Sequence, residues 1–102
     1  METFTCISVQ KAREIMDTGE GLTIIDIRDS HSFDQGHIPE AKHLKDDNVE
    51  VFLKTADKQK ALLCYCYHGN SSRQAASFFA GQGFKEVYSM DGGWEEWRTV
   101  YG

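Results

Sequence analysis

The sequence is poor in cysteine and proline, and these shortages argue against a disulfide framework and against a proline-rich linker between domains. It has three cysteines, and two of them, Cys64 and Cys66, are one residue apart. In a strand this spacing is too tight for a comfortable disulfide, because alternate side chains point to the same face. Reduced thiols in a reducing compartment therefore fit better than a disulfide framework. The single proline, Pro39, lies in "GHIPEA", which is typical of a loop and not of an interdomain linker.

Paired clusters of metal ligands are missing from the sequence as well. A structural zinc site needs about four ligands in paired clusters. Cys64, Cys66 and His68 crowd one segment, and the sequence contains no second pair to complete such a set. We therefore predict no metal site and no cofactor.

The sequence also lacks a basic excess and a long apolar run. Its net charge is −5, whereas binding to nucleic acid or to an anionic membrane needs a basic surface. No apolar stretch approaches the roughly 20 residues of a membrane-spanning helix. The N-terminus "METFTCISVQ" lacks the basic start and apolar run of a signal peptide. We therefore predict a cytoplasmic protein that binds neither nucleic acid nor membranes.

Short apolar runs alternate with segments of helical periodicity along the whole chain. The 102 residues suffice for one small domain, and 40% hydrophobic with 26% charged residues is typical of a globular protein. This alternation predicts a single α/β domain over residues 1–102, with a parallel β-sheet flanked by helices on both faces. Strands are predicted around Cys6 and at 22–27, 41–44, 61–66 and 86–90, and helices at 9–18, 30–36, 47–56, 72–82 and 92–100.

Just past the middle of the chain, the segment "CYCYHGNSSRQAA" combines a thiol with a helix start. Cys66 ends an apolar run, and a loop joins it to a helix, at the edge where parallel sheets bind ligands. The unpaired N–H groups and the dipole of a helix N-terminus stabilise an anion and lower a thiol pKa. Gly69 lets the loop curl so that its N–H groups converge. Asn70, Ser71 and Ser72 add side-chain donors or caps, so Cys66 is predicted to be a thiolate nucleophile.

Acidic residues are absent around this loop. The chain carries 16 Asp and Glu residues but none between Lys60 and Lys85, a window that contains His68 and Arg73. Such a window suits an anionic substrate, and burial of the window is the alternative explanation. His68 has three open interpretations: a general base, a donor to the substrate, or a solvated loop residue.

The other cysteines and the tryptophans have simpler interpretations. Cys64 and Cys6 are predicted to be small core residues, as buried free cysteines usually are. Trp94 and Trp97, three residues apart on a short predicted helix, are predicted to anchor the core.

Four motifs occur in order, "IDIRD", "GHIPEA", "CYHGNSS" and "DGGWEEW", and together they resemble a rhodanese domain over about residues 9–100. The cysteine loop is similar to that of the single-domain thiosulfate sulfurtransferases of the GlpE type. The resemblance implies a rhodanese-like fold and an enzyme that takes sulfane sulfur from thiosulfate or another sulfane-sulfur donor. The sulfur would be held as a persulfide on Cys66, with release of sulfite. The acceptors would be cyanide or thiols, including dithiols and thioredoxin-like proteins.

The resemblance also implies roles for neighbouring residues. Asp26 and Arg28 would form a structural ion pair. Many members of the family have Arg or Lys in the loop itself, whereas this loop has neither and Arg73 lies just beyond it. The sulfite group would be bound by amides, hydroxyl groups, His68 or the more distant Arg73, and weak binding of thiosulfate is therefore expected. The persulfide would be cradled by the loop residues Tyr67, His68, Gly69, Asn70, Ser71 and Ser72.

Two other classes of function are compatible with the same fold. A cysteine phosphatase needs the loop C-x5-R, in which arginine clamps phosphate with two donors, but Ser72 occupies that position and Arg73 comes one residue later. The other class is a persulfide carrier or partner-binding module with little intrinsic turnover. Such binding modules usually lack the cysteine, which this sequence keeps.

Overall fold

The computed structural model describes residues 3–19 and 21–102 and has an alternating β/α order. The described residues form one sheet of parallel strands in the order β1-β5-β4-β2-β3. The strands are β1 (Thr5–Ile7), β2 (Thr23–Asp26), β3 (Lys42–His43), β4 (Leu62–Tyr65) and β5 (Val87–Met90), and the helices are α1 (Val9–Asp17), α2 (Ser30–Gln35), α3 (Val49–Thr55), α4 (Ser71–Gly81) and α5 (Gly93–Val100). The predicted parallel α/β fold is confirmed.

Strand β4 lies at the centre of the sheet and is buried along its whole length. Both of its faces are covered, which explains why its sequence is continuously apolar and does not alternate. Leu62 and Cys64 pack on one side with Phe79 of α4, whereas Leu63 and Tyr65 pack on the other side with Trp97 of α5. Successive side chains of a strand point to opposite faces, so the side chain of Cys66, two residues after Cys64, is directed to the same α4 side of the sheet.

Local sequence signals explain where the helices begin and end. The Ser8 hydroxyl accepts a hydrogen bond from the backbone N–H of Lys11 at the start of α1, and Gly19 follows the helix with a φ of 71°. At the end of α2, the Gly36 N–H donates to the carbonyl oxygens of Ser32 and Phe33. The predicted boundaries therefore agree with the structure to within about two residues, the usual variation at element ends.

One core prediction is wrong. Cys6 is exposed, because β1 is the edge strand of the sheet and the Cys6 side chain is not covered there. Cys64 is buried, as predicted. Trp97 is buried and Trp94 is half-buried against the same cluster, so both anchor the core. Within residues 3–19 and 21–102, no helix combines the length and the apolar character that a membrane crossing requires.

Candidate active site

Cys66 follows the central strand directly, at the edge where the carboxyl ends of the strands meet. Its side chain is 5% exposed. The sulfur accepts hydrogen bonds from the backbone N–H groups of Gly69, at 3.1 Å, and Ser72, at 3.4 Å. The Ser72 hydroxyl oxygen lies 3.5 Å from the same sulfur. The loop and the first turn of α4 thus surround one atom with donors, which suits a thiolate or an anion bound to it.

The turn that brings these donors together depends on Gly69. Its φ of 96° lies in the left-handed region, which favours glycine. A Cβ atom at this position would lie 3.0 Å from the backbone nitrogen of Gly92 and 3.1 Å from the carbonyl oxygen of Met90. The loop therefore packs backbone to backbone against the end of β5, and a side chain at position 69 has no room.

Burial and hydrogen bonding act in opposite directions on the Cys66 thiol. Burial raises its pKa, but hydrogen bonds from the Ser72 hydroxyl and from the amides of Ser72, Gly69 and His68 outweigh it, and the pKa lies below the ordinary value. Cys64 is the opposite case, because burial and the neighbouring Cys66 raise its pKa strongly. Of these two buried cysteines, Cys66 has the environment of a reactive thiol and Cys64 that of an inert one.

Helix α5 supports the loop from the side opposite α4. The backbone N–H of Trp94 donates to the Cys66 carbonyl at 2.8 Å, and that of Glu95 donates to the Tyr67 carbonyl at 3.0 Å. These bonds satisfy first-turn N–H groups of α5, which have no partner within the helix. A Cβ on Gly93 would lie 2.5 Å from the Tyr67 oxygen and 2.6 Å from the Cys66 oxygen. Only glycine allows α5 to begin this close to the loop.

A buried ion pair lies beneath the loop. The Arg28 Nη2 atom is 2.7 Å from Asp26 Oδ2 and also 2.7 Å from the carbonyl oxygen of Gly36. The guanidinium is packed among aromatic rings, with its central carbon 4.9 Å from the Trp94 ring centroid and 5.8 Å from that of Tyr67. The predicted structural pair therefore forms, and it connects "IDIRD", "GHIPEA", the loop and "DGGWEEW".

The Tyr67 side chain connects the loop to the start of α2. Its hydroxyl donates to the carboxylate of Asp29 and lies 2.8 Å from the Ser32 hydroxyl oxygen. Asp29 also caps α2 by accepting from the backbone N–H of Ser32. Tyr67 thus has a structural partner in addition to its predicted role toward substrate.

The remaining predicted loop residues differ in what they contact. Ser72 is fully buried beside the sulfur, whereas the side chains of His68, Asn70 and Ser71 are exposed at the rim. Arg73 is also exposed, and its guanidinium lies 3.3 Å from the Asp91 carboxylate. The cation nearest the loop in sequence is therefore paired with an acid.

The acid-free window predicted from the sequence is not an acid-free surface. Asp29, Asp91 and Glu95 lie outside the window in the sequence, but the fold brings all three to the loop. Sheet topology is the reason, because the exits of neighbouring parallel strands meet at one edge.

Sequence reasoning missed Ser89, whose hydroxyl oxygen lies 2.8 Å from that of Ser72. A polar residue inside the apolar segment "EVYSM" was the available signal.

Among the residues that the structure describes, no group of three His, Cys, Asp or Glu side chains could hold a metal ion.

Comparisons with known proteins agree with this architecture. The family model described as rhodanese-like domain matches residues 8–99. The chain is 43% identical to thiosulfate sulfurtransferase GlpE of Pseudomonas syringae, over 99% of this chain and 93% of that protein. It is 46% identical to the protein of the same name from Ectopseudomonas mendocina, over 99% and 91%. The solution structure of a rhodanese-like domain from Anabaena superposes with a TM-score of 0.83 at 24% identity, covering 98% of this chain and 77% of that one.

Proposed function

The chain belongs to the rhodanese family, and we propose that it is a thiosulfate sulfurtransferase that carries sulfur on Cys66. The family and the relatives support sulfurtransferase activity in general. The observation that carries the choice of residue is the Cys66 sulfur, which accepts two backbone N–H bonds at the carboxyl end of the central strand. A thiolate is the nucleophile in such chemistry, and these donors stabilise it.

The proposed reaction has two steps. First, the Cys66 thiolate attacks the outer sulfur of thiosulfate. A sulfur–sulfur bond forms to Cys66, the sulfur–sulfur bond of thiosulfate breaks, and sulfite leaves with its electron pair. In the second step an acceptor attacks the outer sulfur of the persulfide, and Cys66 leaves as the thiolate. The amides that hold the thiolate also support the negative persulfide, so the charge is stabilised at both stages.

Binding of the sulfite group is the weak point of this site. The loop from Tyr67 to Ser72 contains no Arg or Lys. Arg73 is engaged with Asp91, so its charge is partly neutralised. Backbone amides, hydroxyl groups and His68 remain to bind the anion, and we expect a high Michaelis constant for thiosulfate.

The acceptor is proposed to be cyanide or a thiol, including dithiols and thioredoxin-like proteins. Both are nucleophiles that can attack the outer sulfur of a persulfide. The cytoplasm fits this reaction, because thiol acceptors and the three free cysteines of the chain stay reduced there.

The intact mass after brief thiosulfate treatment tests the proposal. We expect the wild type to gain one sulfur atom and the Cys66→Ser variant to gain none, because a hydroxyl at neutral pH provides neither a thiolate nor a persulfide. Cys64→Ser is the matched control, and it should keep the gain in mass while losing stability. A Cys66→Ser variant that still takes up sulfur, while a folded Cys64→Ser variant takes up none, would show that the nucleophile is wrongly assigned.

A persulfide carrier with little intrinsic turnover is the second candidate, and the Arg73–Asp91 pair favours it. A carrier takes up sulfur but passes it slowly to small acceptors. Steady-state turnover with cyanide separates the two functions, provided that mass spectrometry shows the protein to be fully loaded with sulfur.

Phosphatase activity on aryl phosphates should be absent, because buried Ser72 holds the position at which that chemistry needs arginine.

A further inference from the structure

Two buried serines continue the hydrogen bonding of Cys66 into the sheet. Ser72, at the start of α4, and Ser89, in β5, are both fully buried. The distance from the Cys66 sulfur to Ser72 Oγ is 3.5 Å, and that from Ser72 Oγ to Ser89 Oγ is 2.8 Å. Ser89 comes this close because it pairs with Cys64 on the neighbouring strand, two residues before Cys66.

A serine in this part of β5 requires an explanation. Its neighbours on the α4 side of the sheet, Cys64 and Val87, are apolar core residues. A buried hydroxyl destabilises the fold unless it is hydrogen-bonded, whereas alanine would fit the same space without that cost. Among the described residues, Ser72 is the hydrogen-bond partner of the Ser89 hydroxyl.

We propose that Ser89 is a positioning residue that directs the hydroxyl hydrogen of Ser72 onto the sulfur of Cys66. This inference rests on the proposed role of Cys66 in sulfur transfer. Ser89 itself does not touch the sulfur. It donates its hydrogen to Ser72 Oγ, and the single hydrogen of Ser72 then has the sulfur as its acceptor.

The number of hydrogens on the Cys66 sulfur and on the hydroxyl oxygens of Ser72 and Ser89 shows whether this row of hydrogen bonds fits a thiol or a thiolate. With a protonated thiol, three hydrogens share the two contacts, so one of them needs an acceptor outside these three atoms. With a thiolate, two hydrogens fill the two contacts, and each hydroxyl polarises the next. Without Ser89, the Ser72 hydroxyl loses its donor and is free to rotate away from the sulfur.

Other groups around Cys66 also influence its charge and must stay constant in a test. The elements packed around the loop carry titratable or charged residues, namely Asp26, Arg28, Asp29, Cys64, Tyr67, His68, Arg73, Asp91 and Glu95. Substitutions at positions 72 and 89 change none of these side chains, so a change in the titration of Cys66 can be assigned to the serine chain.

The pH dependence of iodoacetamide alkylation tests the proposal, in a Cys6→Ser background so that the exposed cysteine does not react. We expect Ser72→Ala to raise the apparent pKa of Cys66 by about one unit and Ser89→Ala to raise it by about half a unit. The half-unit increase in Ser89→Ala should slow alkylation at low pH about threefold. Ser89→Ala should have no further effect in the Ser72→Ala variant. Ser77→Ala, a half-buried serine of α4, is the matched control and should leave the pKa unchanged.

Two results for Ser89→Ala would overturn the proposal. One is an unchanged pKa in Ser89→Ala. The other is an equal increase with and without Ser72, because Ser89 would then act by packing alone. Ser89→Thr keeps the hydroxyl and should keep the wild-type pKa; an increase as large as that of alanine would exclude the hydroxyl as the cause. Alkylation needs no thiosulfate, so these results can be interpreted even if sulfur transfer itself is not observed.

Discussion

At the scale of single residues, the reactivity of Cys66 is a balance between burial and fixed hydrogen-bond donors. Burial alone would keep the thiol protonated, as it does for Cys64. For Cys66 the Ser72 hydroxyl, together with the backbone N–H groups of Ser72 and Gly69, reverses the outcome. Backbone donors do not titrate, so their effect on the thiolate is the same across the physiological pH range.

This balance predicts the pH dependence of alkylation. The thiolate is the reactive form, and a lowered pKa keeps it populated at lower pH, so the midpoint of the rate profile should lie below the value of about 8.5 for a free thiol. His68→Ala should move this midpoint only slightly, because the exposed ring is removed while the backbone N–H remains. A midpoint near that of a free thiol would contradict the role of the loop amides. An increase of about one unit or more in His68→Ala would make the imidazole the charge partner instead.

At the scale of secondary structure, three elements meet at the reactive sulfur. The exit of β4 supplies Cys66, the start of α4 supplies donors to its sulfur, and the start of α5 binds the carbonyl groups of Cys66 and Tyr67. The loop is therefore held by hydrogen bonds on both sides. Its shape depends on how closely α5 approaches.

Gly93→Ala should disrupt this approach. The new Cβ would lie 2.5 Å from the Tyr67 carbonyl oxygen, so α5 or the loop must shift. We expect a loss of roughly 2–4 kcal/mol in unfolding free energy, measured in urea, together with a strong loss of sulfur loading. Gly19→Ala is the matched control, since Gly19 also has a positive φ, of 71°, but a Cβ added there would meet nothing within 4 Å. It should cost about 1 kcal/mol and leave loading intact; equal effects of the two variants would contradict the close approach as the cause.

The Arg73–Asp91 pair, which links α4 to the residue after β5, should control the arrival of the anionic substrate. Arg73→Ala leaves an uncompensated carboxylate near the loop and should raise the Michaelis constant for thiosulfate. Asp91→Asn frees the cation and should lower it. Both side chains are about half exposed, so both effects should weaken as salt is added. Steady-state kinetics at low and high ionic strength provide the measurement, and a change in turnover number with an unaltered Michaelis constant would contradict this role.

At the scale of the whole molecule, the buried pair of Asp26 and Arg28 holds distant parts of the chain together. The Arg28 guanidinium contacts the end of β2, the carbonyl of Gly36 and the ring of Trp94. Its positive charge is balanced by Asp26, and both side chains are almost inaccessible to water. Removing the acid would leave a buried charge without its partner, which is far more costly than losing an exposed pair.

Asp26→Asn should therefore lower the unfolding free energy by about 3 kcal/mol, because the amide can still accept a hydrogen bond but no longer neutralises the guanidinium. Asp17→Asn breaks the exposed Arg13–Asp17 pair on α1 and should cost less than about 1 kcal/mol. Urea denaturation of the two variants gives the comparison. Similar losses would mean that the buried pair does not organise the fold as described.

The sequence by itself determined those features that depend on neighbours along the chain. The alternation of short apolar runs with helical periodicity indicated the strands and helices, and Ser8, Gly19 and Gly36 marked where helices begin or end. The placement of Cys66 between a strand and a helix start is also local, so its hydrogen bonds to Gly69 and Ser72 could be anticipated. Hydrophobic periodicity and turn chemistry act over a few residues, which is why they can be interpreted without a structure.

Tertiary structure alone decided the features that depend on which strands are neighbours. The edge position of β1 exposes Cys6, which was predicted to be a small core residue. The pairing of β4 with β5 brings Ser89 to Ser72, and the exits of β2 and β5 bring Asp29 and Asp91 to a loop that lacks acids in its own sequence. Parallel strands connect through helices, so residues that share an edge of the sheet are far apart in the chain. Their contact therefore cannot be predicted from a short stretch of sequence.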